Sequence, residues 1–185
     1  MFWFLDRKGR NTVKRYEKGD YVQYGVNGVC LIEDVRRDSL TKKSAGEYYV
    51  LKPVGERSST ILVPTDSETL VGRMAPLPGR EELDELILST RGRELEWIDD
   101  RKERAAQFQQ AVKRCDLREL LCLVGCIYRR RLDLTAAGKK LPAADETVLR
   151  RAEGLIENEL GFVLELSGPQ VGAYIREKLG IEEEE

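Results

Sequence analysis

Apolar positions along the chain follow two patterns that change over near residue 78. Residues 21–25, 29–36, 48–54 and 60–63 are short runs rich in Val, Ile, Leu and Tyr, separated by turn residues, and they predict β-strands. Asn27-Gly28 lies between the first two runs, and this pair readily adopts the positive φ values of a tight hairpin turn. Pro53 and Pro64 bring no N–H to a ladder, so they belong at strand ends or on an edge. Four or five short strands predict a small, strongly bent sheet or SH3-like barrel, with no room for longer strands.

Pro76, Pro78 and Gly79 punctuate the chain, and every later segment has the helical period. Leu83, Leu86 and Ile87 mark a short helix whose acidic first turn (Glu81, Glu82, Asp84) suits the helix dipole. Trp97, Arg101, Ala105, Phe108 and Val112 recur at spacings of four, four, three and four, which predicts one helical face headed by Trp97. Asp116 with Glu119 reads as a capping box opening a helix that turns Leu117, Leu120, Leu121, Val124, Ile127, Tyr128 and Leu132 to a core. After a polar loop over 135–142, a third long helix carries a wide stripe from Val148 to Leu164, the mark of a central position in a bundle. Ser167-Gly168-Pro169-Gln170 reads as a second capping box, and Gly180 ends the last helix. The predicted class is α+β in two domains: a small β-barrel, then an all-α helical bundle.

The composition narrows the chemistry. Of 185 residues 41% are hydrophobic and 35% charged, as in a globular chain with much surface helix. Histidine is absent, which removes His-dependent triads and His-ligated zinc catalysis. No apolar run approaches the roughly 20 residues of a membrane span. The apolar start, residues 1–5, is too short for a signal-peptide core and precedes the basic residues, so a cytoplasmic protein is expected. Cys30, Cys115, Cys122 and Cys126 lack the paired spacing of a metal site and read as buried free thiols; a redox or zinc role, centred on Cys122 and Cys126, is the alternative. No Gly-rich phosphate loop occurs. The acidic pairs Glu81-Glu82 and Asp99-Asp100 sit at helix starts, where solvated charge is the ordinary reading. No enzyme activity, metal or cofactor is therefore expected.

The net charge of −2 hides an uneven distribution. From Lys113 to Arg151 ten basic residues face five acidic ones, enough to neutralise phosphates, though a solvated face of intrahelical pairs has the same composition. Trp97 also has two readings. Its spacing suits the core, and an exposed aromatic at a helix start suits a wedge against a base step.

Lys18-Gly19-Asp20-Tyr21-Val22-Gln23-Tyr24-Gly25, Asn27-Gly28-Val29, Tyr48-Tyr49-Val50-Leu51-Lys52-Pro53, Val63-Pro64 and Val71-Gly72-Arg73 together resemble the polymerase-interacting domain of the CarD family of bacterial transcription regulators. The likeness continues through Trp97, Arg114-Cys115-Asp116, Arg118-Glu119-Leu120, Tyr128-Arg129-Arg130-Arg131, Leu149-Arg150-Arg151-Ala152 and Glu157-Asn158-Glu159-Leu160. It implies a Tudor-like domain over 16–77 that docks on the β-subunit lobe of RNA polymerase, and a helical DNA-binding domain over 78–180. A flexible arm over 1–15 and an acidic disordered tail over 181–185 flank them. The expected protein is a monomer whose partners are the polymerase β subunit and promoter DNA, met in the minor groove at the upstream edge of the transcription bubble.

The resemblance also implies sites. Polymerase binding falls to Arg36, Arg37, Thr60, Ile61 and Leu62, through an exposed strand edge and flanking arginines. DNA binding falls to Trp97 as the wedge, with Arg101, Lys102, Arg104, Arg129, Arg130 and Arg131. The chain departs from the family in two places: family members carry an arginine where Leu62 stands, and Asp99-Asp100 follows the tryptophan where the family is basic. Acidic groups there repel phosphate, so DNA binding is expected to depend on polymerase docking, which raises the local concentration of the helices at the promoter. The alternative is a polymerase-docking module whose helices bind another protein.

Overall fold

A computed structural model describes residues 15–41, 44–55, 59–93 and 95–181, with side chains for all of these except 38–41 and 44–45. The expected arm and acidic tail therefore lie largely outside the described residues.

The N-terminal part is a five-stranded antiparallel sheet of β1 (Tyr21–Tyr24), β2 (Val29–Thr41), β3 (Ser44–Pro53), β4 (Ile61–Pro64) and β5 (Met74–Pro76), in the order β4-β3-β2-β1-β5. Among the described residues no ladder joins β4 to β5, so the sheet is open and the expected barrel is not closed. The expectation of short strands fails at β2 and β3, which run 13 and 10 residues as one long hairpin. A register shift between Ile32 and Asp34 lets this ribbon bend while still pairing. Pro53 and Pro64 end β3 and β4 as expected. Val22, Tyr24, Cys30, Ile32, Tyr49, Leu51, Val63 and Met74 form one buried cluster with Tyr16, whose hydroxyl donates to the Met74 carbonyl at 2.7 Å. Between β4 and β5 lies the short helix α1 (Glu68–Val71), capped by Ser67.

Five helices follow: α2 (Arg80–Ser89), α3 (Arg101–Arg114), α4 (Leu117–Ala136), α5 (Ala143–Leu164) and α6 (Gly168–Leu179). Their ends follow the capping chemistry. The Asp100 carboxylate accepts from the Lys102 and Glu103 amides, Asp116 accepts from that of Glu119, and Ser167 with Gln170 closes a box at α6. Left-handed Gly180 stops α6. Trp97 precedes α3 instead of heading it, because the Asp100 cap starts the helix after the tryptophan. The buried face of α3 is accordingly Arg104, Phe108, Ala111 and Val112, while Arg101 and Ala105 are exposed. A second apolar cluster, including Leu83, Ile87, Phe108, Leu120, Leu123, Ile127, Leu149, Leu160 and Val171, joins all five helices. Among the described residues no helix is long and apolar enough to cross a membrane.

Sheet and helices meet at β1, β2 and α5. Asn158 Oδ1 accepts from the Val29 amide at 2.7 Å, and the Tyr21 and Phe162 rings lie 4.7 Å apart. The expected two-residue turn at Asn27-Gly28 is instead a 3-10 turn over Gly25–Asn27, with Gly28 at φ 69° and ψ −152°. That conformation is nearly confined to glycine, and a Cβ added at Gly28 would fall 2.2 Å from Asn158 Oδ1. Gly28 is thus what lets α5 reach the β2 backbone. Gly28→Ala is expected to lose roughly 2 kcal/mol of stability in urea unfolding, through strain and the displaced Asn158 hydrogen bond. A loss below about 0.5 kcal/mol would show that this junction is not tight.

Candidate functional site

β4 is an outer strand of the sheet, paired only with β3 among the described residues. Among the described residues no further strand pairs with its outer edge, the arrangement that strand addition from another protein requires. Thr60 stands just before β4 and is exposed, while Ile61 and Leu62 are partly buried within it. Ile61 packs on the sheet cluster.

Register settles how the arginines relate to this edge. Asp34, Val50 and Leu62 are aligned across three strands, as are Arg36, Tyr48 and Pro64. Aligned residues project to the same face, and so do neighbours two apart, so Arg36 and Leu62 share a face. Arg37, opposite Glu47, lies on the other face, the one that carries Val35 and Tyr49. The five expected polymerase-binding residues therefore divide into Arg36, Leu62 and the leading Thr60 on one side, and Arg37 and Ile61 on the other. Arg36 and Arg37 are both exposed.

Trp97 lies in the segment between α2 and α3, half-buried, with its ring 6.0 Å from that of Phe108 in an edge-on arrangement. The ring packs on the helical core and is also partly open to solvent. Two guanidinium carbons lie over it, Arg104 at 4.4 Å and Arg130 at 5.3 Å from the ring centroid.

The basic residues expected around Trp97 behave differently from one another. Arg101 and Lys102 are exposed in the first turn of α3. Arg104 is 5% exposed, and its Nη2 pairs with the Asp145 carboxylate at 3.1 Å. The same guanidinium donates from Nη1 to the carbonyls of Ile98 and Asp99 at 2.7 and 3.1 Å. With its charge matched, four of its five N–H groups bonded within the protein and its side chain buried, Arg104 is not placed to meet a phosphate. Arg129 is exposed; Arg131 pairs with Glu146 at 3.0 Å and lies over the Tyr128 ring. In the wider basic stretch Arg114 also pairs, with Glu119 at 3.0 Å. Lys113, Arg118, Arg129, Lys139, Lys140, Arg150 and Arg151 of this stretch are exposed.

None of the four cysteines is in a disulfide, three of them are buried, and burial pushes the Cys30 thiol up to about 11, which keeps it protonated. The sequence reading gave neither Asp145 nor Asn158 a role as a contact residue. Asp145 entered only the charge balance of residues 113–151, and Asn158 only the family-like run 157–160. Asp145 is three residues before Val148 and Asn158 three after Leu155, a spacing that signals an inward face only if polar residues are admitted to it.

Residues 16–75 match the family model of the CarD-like/TRCF RID domain. The matched span runs from Tyr16 through α1 into β5 and stops before α2. No curated protein matches the chain.

Proposed function

We propose that this chain, CarD-like through the RNA polymerase-interacting domain type at residues 16–75, is a transcription regulator that docks on the β-subunit lobe of polymerase and brings Trp97 against promoter DNA at the upstream edge of the bubble. The observation that carries this reading is the family match over a sheet with an open β4 edge. The sheet, read as Tudor-like, forms the docking domain over 16–77, and the helices over 78–180 form the DNA-facing one.

Docking by strand addition uses the backbone of β4 for affinity and the Arg36 and Leu62 face for selectivity. Leu62 supplies an apolar contact in place of a charge. At the other end, a partly exposed indole is a flat apolar body that enters a distorted base step and resists its restacking. Exposed Arg101 and Lys102 open α3 four and five residues after the tryptophan, and exposed Arg129 stands on α4. Asp99 and Asp100 are exposed and oppose phosphate, while Asp100 is committed to capping α3. The protein therefore engages DNA only after docking, which converts a weak contact into an intramolecular one.

Lifetimes of heparin-challenged open complexes test both ends. Leu62→Glu is expected to abolish the effect of the protein and its retention on polymerase. Trp97→Ala is expected to leave retention intact and shorten the lifetime about tenfold, within the range by which aromatic truncation weakens base stacking. Tight binding of the isolated protein to promoter DNA, or an unchanged lifetime with Trp97→Ala, would overturn the reading.

A further inference from the structure

The orientation of Trp97 is built by groups that do not reach solvent. We propose that Arg104 is a positioning residue: clamped by Asp145, it holds the segment 97–99 and sets the Trp97 ring in one pose before DNA arrives. This rests on the reading that Trp97 meets DNA.

All three nitrogens of the Arg104 guanidinium are engaged. Nε and Nη2 face the two Asp145 oxygens at 3.4 and 3.1 Å, and Nη1 donates to the carbonyls of Ile98 and Asp99. Asp145 is 4% exposed, so the pair is closed to water from both sides. Because the planar group cannot rotate without breaking a bond at one end, the fork transmits the position of α5 to the backbone just after Trp97. Its face lies under the indole at 4.4 Å, and Phe108, four residues along α3, supports the ring from an edge. Arg130 brings a second cation from α4. Residues 95–98 have no regular secondary structure, so these contacts stand in for the helix that was expected to carry the tryptophan. A wedge held in this way loses little freedom on insertion. Lysine at position 104 would keep the charge and lose the fork.

The test uses the full chain with Trp3→Phe, which leaves Trp97 as the sole tryptophan. Two variants are compared: Arg104→Lys, and the double replacement Arg104→Met with Asp145→Leu, which removes the fork without stranding a charge and keeps the test alive if the lysine variant does not fold. Acrylamide quenching of Trp97 is expected to rise about threefold in the folded variants. The open-complex lifetime is expected to fall toward that of Trp97→Ala, with polymerase retention unchanged. Val171→Ala, a core truncation on α6, serves as a destabilised control and is expected to move neither readout. Wild-type quenching and lifetime in a folded Arg104 variant would overturn the proposal, as would an equal response from Val171→Ala. If Trp97→Ala itself leaves the lifetime unchanged, the DNA reading fails while the quenching result still decides whether Arg104 positions the ring.

Discussion

Asp145→Ala is expected to lose about 3–5 kcal/mol of unfolding free energy, because it leaves the Arg104 guanidinium buried without its counter-charge. The pair is 94% enclosed on both sides, with side-chain exposures of 6% and 6%, so water cannot replace the lost carboxylate. The cost belongs to the stranded cation more than to the pair. Replacing both partners by apolar residues of similar volume is therefore expected to recover most of the stability, as the double replacement Arg104→Met with Asp145→Leu would show in the same urea titration. A loss under about 1 kcal/mol for Asp145→Ala would mean that Arg104 escapes to solvent, as a surface pair would allow. The exposed pair Lys52 with Glu33 is the internal comparison: its side chains are 37% and 47% exposed, and breaking it is expected to be nearly silent.

The same pair shows where the sequence was legible and where it was not. Helix ends were readable because caps are local: Asp116, Ser167 and Gly180 act on amides and carbonyls within four residues. The faces of α5, α6 and the first three turns of α4 were readable because apolar stripes report burial directly, but Tyr128 and Leu132, expected to face the core, are exposed where α4 runs on toward its end. The face of α3 was not readable. Counted from Trp97, the stripe turns Arg101 and Ala105 inward; counted from the true helix start, it turns Arg104 inward. Both phases fit Phe108 and Val112, and only Asp145 on a distant helix decides between them. Burial of an arginine is a tertiary fact, invisible until its partner is placed.

On the sheet side, the strands were legible as β-rich runs, but the length of the β2–β3 hairpin was not, since its far end crosses Asp38, Ser39, Thr41 and Ser44, which carry no apolar alternation. Asn27-Gly28 was recognised as a turn, yet the reason Gly28 must be glycine lies 130 residues away at Asn158. Of the candidate sites, the β4 edge was legible as a strand but not as an outer one, because strand order depends on long-range pairing. Trp97 was ambiguous in the sequence because its surroundings are mixed: Phe108 and the guanidinium groups of Arg104 and Arg130 lie against the ring, and part of it still meets solvent.

Stability is expected to fall as pH rises from about 5 to 8, and Glu159 is the cause. This carboxyl lies on the inward side of α5 at 6% exposure, and burial, reinforced by the like charge of Asp116 at the start of α4, pushes it up to about 7 from 4.5. The folded state therefore holds a proton between those two values that the unfolded state has released, so the slope of stability with pH is negative across the window. Below it both states are protonated and no penalty exists; above it the full cost of a buried carboxylate is present, on the order of 3 kcal/mol. Asp84 works in the opposite sense in a separate range. Hydrogen bonds from Lys178 and Tyr174 hold its carboxyl below the ordinary aspartate range, so its contribution is lost only in more acid solution. Glu159→Gln keeps the volume and removes the charge. It is expected to match the wild type at pH 4.5 and to exceed it by about 2–3 kcal/mol at pH 8 in urea unfolding, with a flatter profile between. A wild-type profile already flat from pH 5 to 8 would show that the ionised carboxylate is compensated in the folded state, and that α5 carries its inward acid without cost.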